Sequence, residues 1–93
     1  MIIYLAGRIT GDPGYKKKFM EAEAKLKEQG HVVLNPAYLP LGMPYNSYTH
    51  IDDAMLECAE AICLLPDWWH SPGARREKFM ADQMEITVMY YGD

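Results

Sequence analysis

Short runs of apolar, β-favouring residues alternate along this chain with segments of helical periodicity, and that alternation constrains the fold more than any other feature. Ile2-Ile3-Tyr4-Leu5-Ala6, His31-Val32-Val33-Leu34 and Ala61-Ile62-Cys63-Leu64-Leu65 each stop at turn chemistry: Gly7, Asn35-Pro36 and Pro66-Asp67. Ile86 to Tyr91 is a fourth such run. Between the first two, Tyr15 to Gln29 repeats Tyr15, Phe19, Ala22 and Leu26 at helical spacing, and Gly30 follows as a C-terminal cap. Ser47 to Glu60 reads as a second helix with Ile51, Ala54, Met55 and Cys58 as its packed stripe, and Thr49 with Asp52 resembles a capping box with the shorter acid. Ser71 as N-cap and Pro72 at the first helical position start a third.

The order βαβαβαβ implies an α/β fold, a small flavodoxin-like parallel sheet with right-handed crossovers and helices on both faces. With strand order 2-1-3-4, a ligand crevice opens beyond the carboxyl ends of strands one and three, between the Gly7 to Gly14 loop and the Pro66 to Ser71 loop. Ninety-three residues without linkers or repeats make a single domain, 1–93. The stretch from Ala37 to Asn46 holds Pro40, Gly42 and Pro44 among large apolar residues, too broken for a regular element and too apolar for a plain loop. It reads as a lid or a subunit contact, and a domain this small is expected to form a homodimer or larger homo-oligomer.

Several function classes fall away. A net charge of -4 argues against nucleic acid as a partner, because backbone binding rests on clustered Lys and Arg. The single basic run, Lys16-Lys17-Lys18, reads as a solvated helix face. Met1 to Leu5 is too short for a signal peptide or a membrane span, so no membrane partner is expected. Cys58 and Cys63 lack paired spacing and read as buried free thiols, which fits a reducing, cytoplasmic setting. The three histidines fall in no ligand spacing, so no metal is expected. Gly7-x-x-x-Gly11 is neither a dinucleotide fingerprint nor a P-loop, and no cofactor is expected.

One residue breaks the apolar pattern. Ala74, Glu77, Ala81 and Met84 share a face of the third helix, and a carboxylate there is costly unless paired, hydrogen-bonded or reaching into a cleft. An ion pair with Arg75, Arg76 or Lys78 is the plain explanation for Glu77. Asp53 lies off the stripe of its own helix and reads equally as an acid favoured by the helix dipole or as a functional group. Two carboxylates can cleave a glycosidic bond when one attacks the anomeric carbon and the other manages protons or binds the substrate.

Ile3-Tyr4-Leu5-Ala6-Gly7-Arg8-Ile9-Thr10-Gly11, Gly30-His31-Val32-Val33-Leu34-Asn35-Pro36, and Leu64-Leu65-Pro66-Asp67-Trp68 leading into Ser71-x-Gly73-Ala74-x-x-Glu77 resemble the small phage and bacterial proteins of the DUF4406 group. That group is similar to nucleoside 2-deoxyribosyltransferases and 2'-deoxynucleoside 5'-phosphate N-hydrolases. The resemblance implies that Glu77 is the nucleophile, that Tyr4 orients it, and that Asp53, or Asp52 as the competing choice, contacts the substrate and helps protonate the leaving base. It implies a 5'-phosphate site at Gly7, Arg8, Ile9, Thr10, Gly11, Ser71 and Gly73, although Pro72 lacks one backbone donor there. Trp68 and Trp69 read as stacking partners for a base, as packing or as a dimer contact.

The expected activity is therefore cleavage of the N-glycosidic bond of a (deoxy)nucleoside or its 5'-monophosphate, with transfer to water or another base. An NAD-derived or cyclic signalling nucleotide is the alternative substrate. A nucleotide-binding module without turnover and an interaction protein using Tyr38 to Tyr48 and Tyr90-Tyr91 are the rival classes.

Overall fold

The computed structural model describes residues 1–92; position 93, the last residue of the expected domain, lies outside the described residues. The elements are β1 (Ile2–Ala6), α1 (Tyr15–Glu28), β2 (Val32–Leu34), α2 (Tyr45–Glu57), β3 (Ala61–Leu64), α3 (Pro72–Gln83) and β4 (Thr87–Tyr90). Short 3-10 turns at Pro36–Tyr38 and Trp68–His70 follow β2 and β3. The four strands form one parallel sheet in the order β2-β1-β3-β4, with Tyr4 beside Leu34 on one flank and Ile62 on the other. No helix among the described residues is long and apolar enough to cross a membrane.

Side chains on a strand alternate between its faces, and that sorts the core into two layers. Ile3 and Leu5 of β1 meet Phe19, Ala22 and Leu26 of α1, together with Ala61 and Cys63. Tyr4 and Ala6 turn the other way, against Leu56, Ile62, Leu64, Ala74 and Ala81 under α2 and α3. Because β1 and β3 are covered on both sides, their runs are apolar throughout rather than alternating.

The helix ends follow their local chemistry. α1 closes in a Schellman turn: Gly30 at φ +90° donates to Lys27 O at 2.9 Å and His31 donates to Leu26 O at 3.1 Å. α3 opens on Ser71, whose Oγ accepts the Ala74 N–H at 3.1 Å, with Pro72 where no donor is needed.

α2 departs from the expected boundaries. It starts at Tyr45 after Pro44, ahead of Ser47, so the capping box is not formed, and Thr49 Oγ1 donates to Asn46 O instead. Its inward face is Asp52, Met55, Leu56 and Ala59, one residue along from the expected stripe; Ala54 and Cys58 are exposed. Both stripes have the same helical spacing. The neighbouring strands select the one that carries Leu56, and that choice rotates Asp52 inward. Cys58 is thus an exposed thiol, whereas Cys63 is buried.

Gly7 shows how tightly the strand ends are drawn together. A Cβ there would stand 2.9 Å from both Cβ and Cδ1 of Leu65, and Leu65 Cβ has no room to move aside. Gly7→Ala is expected to lower stability by about 2 kcal/mol, the usual cost of overpacking, seen as a lower urea midpoint with unchanged slope. An unchanged midpoint would mean that the β1 and β3 ends separate freely.

Candidate active site

A cavity of about 540 Å³ opens beyond the carboxyl ends of β1, β2 and β3. One end is ionisable: Tyr4, Asp52, Arg76 and Glu77 converge there from β1, α2 and α3. Loops from Gly7 to Thr10 after β1 and from His70 to Gly73 at the start of α3 add backbone, the Thr10 and Ser71 hydroxyls, Arg8 and His70 to the lining. Leu39, Leu41, Tyr45 and Tyr48 make the side wall, so the broken stretch between β2 and α2 borders the cavity. Tyr48 holds that wall by donating to Pro40 O at 2.5 Å and accepting the Met43 N–H at 3.2 Å.

Glu77 is buried, and its partner is not a cation. Tyr4, fully buried beneath it, donates its hydroxyl to Glu77 Oε2 at 2.6 Å. Burial raises the Glu77 carboxyl from an ordinary 4.5 to about 8; the Tyr4 hydrogen bond opposes the rise, and the negative charge of Asp52 adds to it. The Tyr4 hydroxyl is itself held well above its ordinary range, by burial and then by the adjacent Glu77 charge, so it stays a donor. Asp52 rises to about 6, chiefly through burial, with Arg76 opposing and Asp53 adding.

The two neighbouring aspartates sit differently. Asp53, the residue favoured from sequence, is not on the cavity wall; its Oδ1 accepts Arg76 Nη2 at 2.7 Å. Asp52 is on the wall. This corrects the expectation, and the cause is the one-residue rotation of the α2 face. Arg76 is one of the three cations, with Arg75 and Lys78, that the sequence offers to Glu77, yet it pairs with Asp53 and lines the cavity with Glu77. Among the described residues, Asp52 Oδ1 and Arg76 Nε are buried side-chain atoms without a hydrogen-bond partner.

The expected phosphate residues are brought together in part. Gly7, Arg8, Ile9, Thr10, Ser71 and Gly73 line the cavity, but Gly11 does not. Gly11 supplies the turn, at φ +82°, beneath the Arg8 guanidinium. Two donors are already engaged: the Arg8 N–H on Asp67 Oδ1 at 3.1 Å and the Ala74 N–H on Ser71 Oγ. Trp68 is also off the cavity wall. The 3-10 turn directs it into the α2–α3 core layer, edge-on to Trp69 with 5.2 Å between ring centroids, and brings His70 to the cavity instead. Trp69 is exposed, and neither tryptophan faces the site.

Arg76, His70 and Tyr48 were missed as site residues. A basic residue beside Glu77 and aromatics in the α2 start were visible signals, but helical spacing cannot say which neighbour turns inward. No group of three or more His, Cys, Asp or Glu able to hold a metal occurs among the described residues. A family profile described as a domain of unknown function, DUF4406, matches residues 1–90. No curated protein matches the chain.

Proposed function

We propose that this chain, which belongs to the DUF4406 family, cleaves the N-glycosidic bond of a (deoxy)nucleoside or its 5'-monophosphate through Glu77. The observation that carries this reading is a buried carboxyl on a cavity wall whose partner is a tyrosine hydroxyl rather than a cation. A structural acid at that depth would be paired, while a nucleophile needs an oxygen left free. Tyr4 takes Oε2, which leaves Oε1 to attack C1'. The C1'–N bond breaks, its electron pair leaves with the base, and protonated Asp52 delivers a proton to the base nitrogen. Water or a second base then attacks C1', the ester bond to Glu77 breaks, and the proton lost by the attacking group returns to Asp52.

The remaining groups fit binding. Asp52 and Arg76 on the cavity wall bring a carboxyl and a guanidinium within reach of base or sugar. Arg8, Thr10, His70 and Ser71 surround the far end, where a 5'-hydroxyl or 5'-phosphate would lie. The wall of Leu39, Leu41 and Tyr45 supplies apolar contact for the base. Exposed Tyr38, Leu41 and Tyr45 near this wall support a homo-oligomer whose contact borders the cavity, and the free thiols suit a cytoplasmic setting.

Purified protein incubated with the four deoxynucleosides and their monophosphates is expected to release free base. Ligand-induced thermal stabilisation with no release and no base exchange would instead favour a binding module. The pH dependence is specific to the proposed pair. Glu77 must be ionised and Asp52 protonated, so kcat/KM is expected to trace a bell with limbs near about 6 and about 8, both belonging to the coupled pair. Asp52→Asn is expected to lower the rate and convert the bell into one ascending limb. A bell preserved in that variant would remove Asp52 from the proton transfer.

A further inference from the structure

We propose that Lys18 is a positioning residue that clamps the two cavity loops and aims the Arg8 guanidinium at an anionic group of the ligand; this rests on the anion end of the function proposed above. Lys18 belongs to a run that reads as a solvated face, yet it turns inward from the first turn of α1. Its ammonium donates to Arg8 O at 2.8 Å, to Asp12 Oδ2 at 2.7 Å and to the Asp67 carboxylate. An ammonium has three donors, and all three are engaged. Lys18 therefore acts through other residues and has no donor left for a ligand.

The clamp converges on the backbone of one residue. Lys18 holds the Arg8 carbonyl, while Asp67, bound to Lys18 through Oδ2, accepts the Arg8 N–H on Oδ1 at 3.1 Å. Asp12 extends the clamp by accepting the Gly14 N–H on Oδ1 at 2.9 Å. Arg8 is thus fixed through both its N–H and its carbonyl, whereas its guanidinium is exposed and, among the described residues, hydrogen-bonds only to Gly11 O, at 3.5 Å.

A tethered backbone under a lightly held cationic side chain is the arrangement expected of a group that waits for an anion. Asp67 also begins the turn that carries His70 and Ser71, so the clamp sets the separation between the two walls at the anion end. Two carboxylates of the flanking loops, Asp12 and Asp67, are drawn onto Lys18, which reduces their repulsion of an incoming anion.

The test combines hydrogen exchange with kinetics on Lys18→Met and Asp67→Asn, the second keeping an acceptor for the Arg8 N–H. Lys18→Met is expected to speed exchange at residues 7–14 and 67–71 while residues 22–26 of α1 are unchanged. It is expected to raise KM for a deoxynucleoside 5'-monophosphate ~10-fold with kcat nearly constant, and to leave KM for the deoxynucleoside unaltered. Asp67→Asn should show the same pattern more weakly. Unchanged loop exchange would overturn the clamp. Loosened loops with both substrates affected equally would overturn the positioning role and leave a brace for stability. If the wild type releases no base, the function proposed above fails. Slowing of exchange at residues 8–11 by inorganic phosphate, present in the wild type and lost in Lys18→Met, then carries the clamp, and its absence overturns it.

Discussion

Glu77→Ala is expected to lower base release at least ~1,000-fold, because removing a covalent nucleophile leaves only binding and proton transfer to act on the bond. The decisive measurement is kcat/KM on the best substrate, with Glu77→Gln beside it to keep shape and an acceptor for the Tyr4 hydroxyl. Both variants are expected to lose turnover, and Glu77→Gln is expected to retain substrate binding. Base release by Glu77→Ala within a few-fold of the wild type would end the nucleophile assignment. The same residue explains why the site is built on α3: a helix packed across β1 brings Glu77 onto Tyr4, and among the described residues the carboxylate's hydrogen-bond donor is neutral.

The second large effect is on stability. The Glu77 carboxyl binds its proton more tightly in the folded protein, at about 8, than in the unfolded chain, near 4.5. Its contribution is therefore fully present below pH 4.5 and is lost as pH rises through about 8, where the folded protein must bury a charge. Asp52, raised to about 6, acts in the same direction at lower pH. For Glu77 the loss amounts to roughly 5 kcal/mol. Denaturant unfolding at pH 5 and pH 9 should accordingly find Glu77→Gln close to the wild type at the lower pH and more stable by roughly that amount at the higher. A Glu77→Gln variant no more stable than the wild type at pH 9 would mean that the ionised carboxylate is well solvated in the fold. A residue that destabilises its own protein near neutral pH is what a site favouring function over stability contains.

Much of this arrangement was legible beforehand. The parallel sheet follows from apolar runs stopped by Gly7, Pro36 and Pro66, since each run must be covered and each crossover is right-handed; the expected strand order 2-1-3-4, with its crevice between β1 and β3, is the order the sheet has. Glu77 stood out because Ala74 and Ala81 flank it on the same helical face. What misled was α2. Ile51-Ala54-Met55-Cys58 and Asp52-Met55-Leu56-Ala59 are equally regular stripes, and a helix read alone is nearly indifferent to a rotation of about 100°. Lys18 was hidden for a related reason: its partners, Asp12 and Asp67, lie 6 and 49 residues away.

The chain by itself determined which segments are strands and helices, where most of them stop, though not the bounds of α2, and which carboxylate would be expensive to bury, because periodicity, caps and proline chemistry act over a few residues. The tertiary structure alone decided that Asp52 rather than Asp53 faces the cavity, that Arg76 answers Asp53, that the tryptophans lie away from the cavity, and that Lys18 ties Arg8 O to Asp12 and Asp67. Those choices depend on which helix face the sheet accepts and which charges meet across loops distant in sequence, and both are set only when the elements pack together.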